Sequence, residues 1–341
     1  MKKQYTVYAI LAATLILPAL LTAQKANVVY VEGSSQIKSS SGSLRPADFG
    51  STVTYGESVI TGRDGFVEMT LENGSTIRVA ENSVFSYSST GAAADSRPVL
   101  ATTAGKVSYK LNKAAGRSPL IQSNSMVAGV RGTEFTVFSA CDGSTLLAVT
   151  DGIVDVESQG TKIELVKDEA VEVTPGKAPG TKFTWLGKEL DYSSWNKGKN
   201  DEFIQNPLAC LDLVATQLDV YKSALESLKG PYEQATITWQ KATDQYKTLV
   251  AEGDKQAMEA FRASTLYPAQ DERSTIILNI RYFALNYLSM RRYVMSNMYM
   301  EMKSRYLLTP NAQASAYFTR HAEILSRYEA VIVPQLNEND Y

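Results

Sequence analysis

Thiols, imidazoles and paired carboxylates carry most hydrolytic, redox and metal chemistry, and this chain is poor in the first two. Its 341 residues hold two cysteines, Cys141 and Cys210, and one histidine, His321. A zinc site draws on several Cys or His ligands, and a nucleophilic triad needs an imidazole between its nucleophile and an orienting group. Neither can be assembled from this set, so no catalytic residue, no metal and no cofactor is assigned. Asp plus Glu is 36, but no spacing singles out two carboxylates as the acid and base of a glycan hydrolase.

The few candidates have plainer roles. His321 lies between Tyr317 and Ile324 on the apolar face of a C-terminal helix, as a core or boundary residue with its ring nitrogens satisfied locally. Cys141 sits in the turn Ala140, Cys141, Asp142, Gly143, and Cys210 near the start of a helix. In an oxidising compartment this even pair could close a disulfide that staples the two halves of the chain. Asp64-Gly65, Asn73-Gly74, Asp142-Gly143 and Asp151-Gly152 mark tight turns, since none lies in a calcium loop with a distal glutamate.

Lys plus Arg is 34 against those 36 acids, a net charge of −2. Such a balance offers no general attraction to nucleic acid. At the N-terminus, Lys2 and Lys3 precede an apolar run at 8–21 that Pro18 interrupts, and Ala23 offers a small residue before Gln24. This is the pattern of a secretory signal, and the run is short of the roughly 20 residues that span a bilayer. The expected product is a periplasmic or otherwise exported protein cleaved after Ala23, with no stable membrane span left.

The elements that must position any site change character near residue 200. From 28 to about 184, glycine-led runs such as GFVEMTL at 65–71 and GTEFTV at 132–137 alternate apolar and polar residues, the period of half-buried strands. Residues 24–184 are therefore expected to form an all-β domain of β-solenoid or jelly-roll-like topology. A connector at 185–205 follows, whose Trp185 and Trp195 should pack onto a domain. From 206 to 341 the period becomes helical. Leu211, Val214, Leu218, Tyr221, Leu225 and Leu228 form one seam, and Tyr232, Ala235, Trp239, Ala242, Tyr246 and Leu249 another.

Gly230-Pro231 between the seams predicts a turn, hence a helical hairpin. A shorter helix follows to about Leu266, broken by Pro268. A long helix then carries Ile277, Ile280, Ala284, Tyr287, Val294 and Met298, with Arg291 at a seam position that needs an acid or solvent. A last helix opens at Thr309-Pro310 with Tyr317, Ile324, Tyr328 and Val331 inward. The whole chain reads as multidomain: an all-β domain followed by an all-α antiparallel bundle of four or five helices.

The ordered runs GESVITGRDGFVEMTLENGSTIRVAENSVFS at 56–86, AGKVSYKL at 104–111, AGVRGTEFTV at 128–137 and LAVTDGIVDV at 147–156 resemble the FecR domain family. The most specific part is Val130, Arg131, Gly132, Thr133, Glu134 and Phe135. The resemblance, centred on about 50–156, implies a β-rich extracytoplasmic module of bacterial envelope proteins, some of which relay a signal to a sigma factor across the inner membrane. Physically, the motif reads as a turn or bulge at Gly129 and Gly132, a local charge pair from Arg131 or Glu134, and inward Phe135 and Val137.

Three functions fit. In the first, a non-enzymatic exported module binds an envelope protein or cell-wall component, and its helical bundle docks a partner or self-associates. The second is a transmembrane relay of the FecR type with an uncleaved N-terminal anchor, although only about seven residues precede the apolar run, too few to grip a sigma factor. The third is an envelope enzyme with paired carboxylates. The first is the expectation carried forward.

Overall fold

The alternation of apolar and polar residues decides the N-terminal half, because successive strand residues face opposite sides. In the strand Phe66–Leu71, Val67 and Met69 are fully buried while their neighbours are half-exposed. The computed structural model of the chain describes residues 25–90, 97–113, 118–185, 191–309 and 311–337. The expected signal at 1–23 lies outside the described residues.

The strands form two layers. One runs in space through Thr52–Val53, Ala26–Glu32, Phe66–Leu71, Thr76–Val79, Arg97–Lys110, Glu134–Ser139, Thr145–Asp151, Glu169–Val173 and Phe183–Thr184. The other runs through Leu44–Pro46, Ser35–Lys38, Ser58–Thr61, Val84–Thr90, Arg97–Lys110, Leu120–Gln122, Val127–Val130, Ile153–Ser158 and Thr161–Val166. Arg97–Lys110 serves both layers, changing from one to the other at Gly105. Pairing is antiparallel except between Arg97–Lys110 and Leu120–Gln122. The expected all-β domain is thus present as two strand layers joined through Arg97–Lys110. Its core holds a line of rings: Phe85 lies 6.5 Å from Tyr87 and 6.4 Å from Tyr109, which stacks on Phe135 at 5.0 Å.

The chain crosses between layers at tight corners. Val130 ends a strand of one layer and Glu134 begins a strand of the other, with Gly132 between them at φ +62°. Gly152, at φ +88°, turns the next crossing, and a Cβ there would lie 2.7 Å from Thr133 Cγ2 and 2.9 Å from the Gly132 carbonyl oxygen. The two corners nest, so the second admits only glycine. Gly129, by contrast, is an ordinary paired strand residue.

The helical half departs from expectation in three places. Residues 192–205, assigned to a connector by composition, form helix α1 (Tyr192–Gln205), capped by the Asp191 carboxylate accepting from Ser194 N–H. There is no helical hairpin at Gly230-Pro231: α2 (Pro207–Glu252) runs straight through. The seam shows why. The step from Leu228 to Tyr232 keeps the 3-4 rhythm across the proline, whereas a turn would have reset its phase. Pro268 does not break the following helix either. Helix α3 (Lys255–Phe261) passes through a π-helical turn at Arg262–Leu266 into α4 (Tyr267–Ser289). A second π turn at Met290–Met295 leads to α5 (Ser296–Tyr306), and α6 (Ala312–Asn337) closes the bundle, with Asn311 capping Ala314 N–H at 2.8 Å.

The inward residues of these helices are buried as their spacing requires, among them Leu211, Leu218, Ile280, Ala284, Tyr287, Tyr317 and Tyr328. The side chain of Val331 lies outside the described residues. Beyond Tyr232 the seam of α2 is thinner: Ala235 and Ala242 are buried, but Trp239 is half-exposed beneath the Arg273 guanidinium, 4.9 Å from its ring. The second π turn buries Met290, Val294 and Met295 together. Inserting a residue into the turn moves the seam to Met290 and frees Arg291, which pairs with Glu329 at 2.6 Å.

Candidate functional site

The two halves meet on a buried polar seam. The run Gln122, Ser123, Asn124, Ser125 is at most 5% exposed, which is unusual for polar side chains and requires internal partners. Asn124 Nδ2 donates to the Thr103 carbonyl at 2.7 Å and to Ser139 Oγ at 2.9 Å. Ser125 Oγ lies 2.8 Å from both Thr145 Oγ1 and the Val173 carbonyl oxygen, within hydrogen-bond distance of each. Helix α2 lies over this run, and the Tyr221 hydroxyl donates to the Asn124 carbonyl at 3.4 Å.

One turn away, Gln217 Oε1 accepts from Gly176 N–H at 3.2 Å and from Gln159 Nε2 at 3.3 Å. Helix α1 adds a charged clasp. Lys199, its side chain only 14% exposed, pairs with Glu172 of the sheet and with Glu202 at 3.3 Å. The Trp195 indole donates to the same Glu172 at 2.9 Å, and Tyr192 stacks on Phe138 at 5.8 Å. Trp185 donates its indole proton to the Val149 carbonyl at 3.1 Å. The two tryptophans therefore pack onto the β half, as their position between the domains implies.

Beside the seam opens a cleft of about 500 Å³. Its β wall is the outer face of the strands Ser58–Thr61, Val84–Thr90 and Arg97–Lys110, its floor is the Gln122 to Asn124 run, and its far wall is the end of α4 with the π turn. Serine and threonine hydroxyls dominate the β wall, and Asn286, Arg291, Arg292 and Tyr293 face it from the helices. The π turn matters here, because its wider winding presents Arg291, Arg292 and Tyr293 consecutively to the cleft. Sequence reasoning did not find this site. Its one available signal was the polar run at 122–125 inside a segment that otherwise reads as buried strand.

The residues singled out by sequence are distributed differently. Val130 and Phe135 are core, Glu134 pairs with Lys110 at 3.6 Å, Arg131 is exposed, and Thr133 is buried with its hydroxyl unbonded. The motif builds a corner and does not line the cleft. Cys141 and Cys210 form no disulfide: both are free thiols. The Cys141 backbone N–H donates to Asn196 Oδ1 of α1 at 3.0 Å, while Cys210 packs into the bundle core. Burial, and then the nearby Asp142 carboxylate, push the Cys141 thiol up to about 12 and the Cys210 thiol to about 11. Neither is a thiolate nucleophile at neutral pH.

His321 is buried between the rings of Tyr299 and Tyr317, 5.0 and 5.9 Å away. One ring nitrogen lies near the Met295 backbone, but Nε2 has no hydrogen-bond partner, contrary to the expectation that both would be satisfied. Burial holds its pKa below the usual histidine range. Among the described residues no group of three or more His, Cys, Asp or Glu could hold a metal ion, and no helix is long and apolar enough to cross a membrane.

The corner at Gly132, the Tyr109–Phe135 stack and most of the cleft's β wall lie in one continuous stretch of sequence, and that stretch has known relatives. Residues 57–155 match the FecR protein family. The FecR segment thus ends within the strand Ile153–Ser158, so the helical bundle lies outside it. Two crystal structures of a protein described as an anti-sigma factor candidate, from Parabacteroides distasonis, are similar at 16% identity, with TM-scores of 0.32 and 0.30. They cover 41% and 37% of this chain, which in turn spans 65% and 59% of theirs. No curated protein matches the chain.

Proposed function

We propose that this chain is a non-enzymatic regulatory module of the cell envelope, exported after cleavage behind Ala23. Its FecR segment binds a protein or cell-wall component, and its helical bundle docks a partner or a second copy. The observation that supports this reading is the polar seam between the FecR segment and the bundle. Tyr221 on Asn124, Gln217 on Gly176 and Lys199 on Glu172 tie the halves together. A partner that alters one half then acts on the other through packed, hydrogen-bonded contacts rather than through a loose linker.

The test is cross-linking capture from the native cell envelope, with intact mass measured on the recovered chain. Expected is a species beginning at Gln24, in the extracytoplasmic fraction, with one dominant envelope partner. Recovery with residues 1–23 attached would favour the anchored relay. A cytoplasmic chain without partners would overturn both readings.

A further inference from the structure

The cleft between the FecR segment and the π turn has the chemistry of a small-molecule site. Its volume of about 500 Å³ falls in the range of ligand pockets. On its floor Gln122 is 5% exposed, with its side chain lining the cleft. In the helical wall Asn286 Nδ2 is buried without a partner of good geometry, next to the Tyr282 hydroxyl. Buried amides are nearly always bonded, because desolvation without compensation is unfavourable. Asn286 is such an amide, and with Gln122 on the floor it gives the cleft donors and acceptors for something that enters it.

The charges specify the ligand further. Arg291 is engaged by Glu329, and Glu57 by Arg45 at 3.1 Å. Lys38 and Arg292 have no carboxylate partner among the described residues, and Arg292 is held over the Tyr293 ring at 5.6 Å. The uncompensated charge of the cleft is therefore positive. The walls mix hydroxyls and amides with Leu285, Leu288 and the rings of Tyr87, Tyr221 and Tyr293, so a wholly apolar ligand would leave polar groups unmatched. The strands Val84–Thr90 and Arg97–Lys110 are paired on both sides, so an extended peptide finds no free ladder to join.

We infer that this cleft binds an anionic, hydroxyl-rich small molecule of about disaccharide size, a uronic-acid sugar being the chemistry that fits. Arg292 and Lys38 receive its carboxylate, and the amides of Gln122 and Asn286 address its hydroxyls. The inference stands apart from the macromolecular partner proposed above: envelope capture can fail while the sugar binds, and the reverse.

Calorimetry on the purified full chain decides it, with digalacturonate as the acidic probe, cellobiose as the neutral one and tetraglutamate as the acidic peptide. Digalacturonate should bind with a Kd below about 1 mM, and cellobiose at least about tenfold more weakly. Arg292→Gln, at an exposed position that cannot unfold the protein, should weaken digalacturonate about tenfold. Gln122→Leu should weaken it severalfold with an unchanged near-ultraviolet spectrum. Lys247→Gln, on the distant exposed surface of α2, should change nothing. No digalacturonate binding by natively folded protein overturns the inference. So does equal binding of cellobiose, equal weakening by Lys247→Gln, or tighter binding of tetraglutamate.

Discussion

Tyr221 of the bundle reaches across the domain seam to the backbone carbonyl of Asn124, at 3.4 Å, with both residues at least nine-tenths buried. The bond joins a helix seam position to the floor of the cleft. Tyr221→Phe keeps the packing and removes only the bond, so stability should fall by about 1 kcal/mol. Urea denaturation followed by both near- and far-ultraviolet circular dichroism should show one shared transition, lower in midpoint. An unshifted midpoint would mean that this contact adds nothing to the seam.

The two nested corners should respond unequally to a methyl group. Both have positive φ, but a Cβ at Gly152 meets backbone and Thr133, whereas at Gly132 it meets the flexible Lys113 side chain at 2.6 Å. Gly152→Ala should destabilise by more than about 2 kcal/mol, combining left-handed strain with a contact that cannot move aside. Gly132→Ala should lose about 1 kcal/mol. Thermal melts of the two variants test the order, and a Gly132→Ala variant that melts lower than Gly152→Ala would contradict the nesting.

Proline inside a helix gives a sign that distinguishes a continuous α2 from a hairpin. Pro231 is exposed within α2 and removes one backbone hydrogen bond. Pro231→Ala should therefore raise stability, by up to about 3 kcal/mol. In a turn the same change would be neutral or harmful. Leu218, with no exposed surface, should lose about 2 to 5 kcal/mol on change to alanine. Chemical denaturation midpoints measure both.

Acid should loosen the bundle through His321. Burial, followed by the nearby Arg291 charge, keeps the folded imidazole pKa below its ordinary 6.5, against the pull of the Met295 backbone contact. The unfolded chain then binds the proton first. The histidine's stability contribution is complete above pH 6.5 and declines as pH falls below it. Melting temperature measured from pH 7.5 to 5.5 should fall more steeply for wild type than for His321→Gln. Parallel curves would mean that the ring titrates normally.

Both thiols should be silent in the folded protein. With Cys141 pushed up to about 12 and Cys210 to about 11, alkylation at pH 7.5 should be slow until denaturant is added, after which two thiols should react. Zero reactive thiols in denaturant without reductant would reveal the disulfide that the structure lacks.

Local pattern sufficed for much of this protein. Period-2 alternation announced the strands of the β half, the 3-4 rhythm announced the bundle, and the glycine-led order around VRGTEF carried the FecR resemblance that residues 57–155 bear out. The unbroken α2 was misread, because Gly230-Pro231 predicted a turn although the seam keeps phase from Leu228 to Tyr232 across Pro231. These properties depend on residues a few positions apart, which a sequence displays directly.

Other features rest on residues far apart in the chain. The connector became α1 because Tyr192 and Trp195 meet Phe138 across more than fifty residues. Arg291 left the seam because a π turn let Met290 take its place and Glu329 was near. The cleft exists only where Gln122 of its floor and Arg292 of its helical wall are brought together by the docking of helices on a sheet. No spacing encodes that docking: it follows from which polar groups find partners when the two cores are buried together, and Asn286 Nδ2 is one that found none.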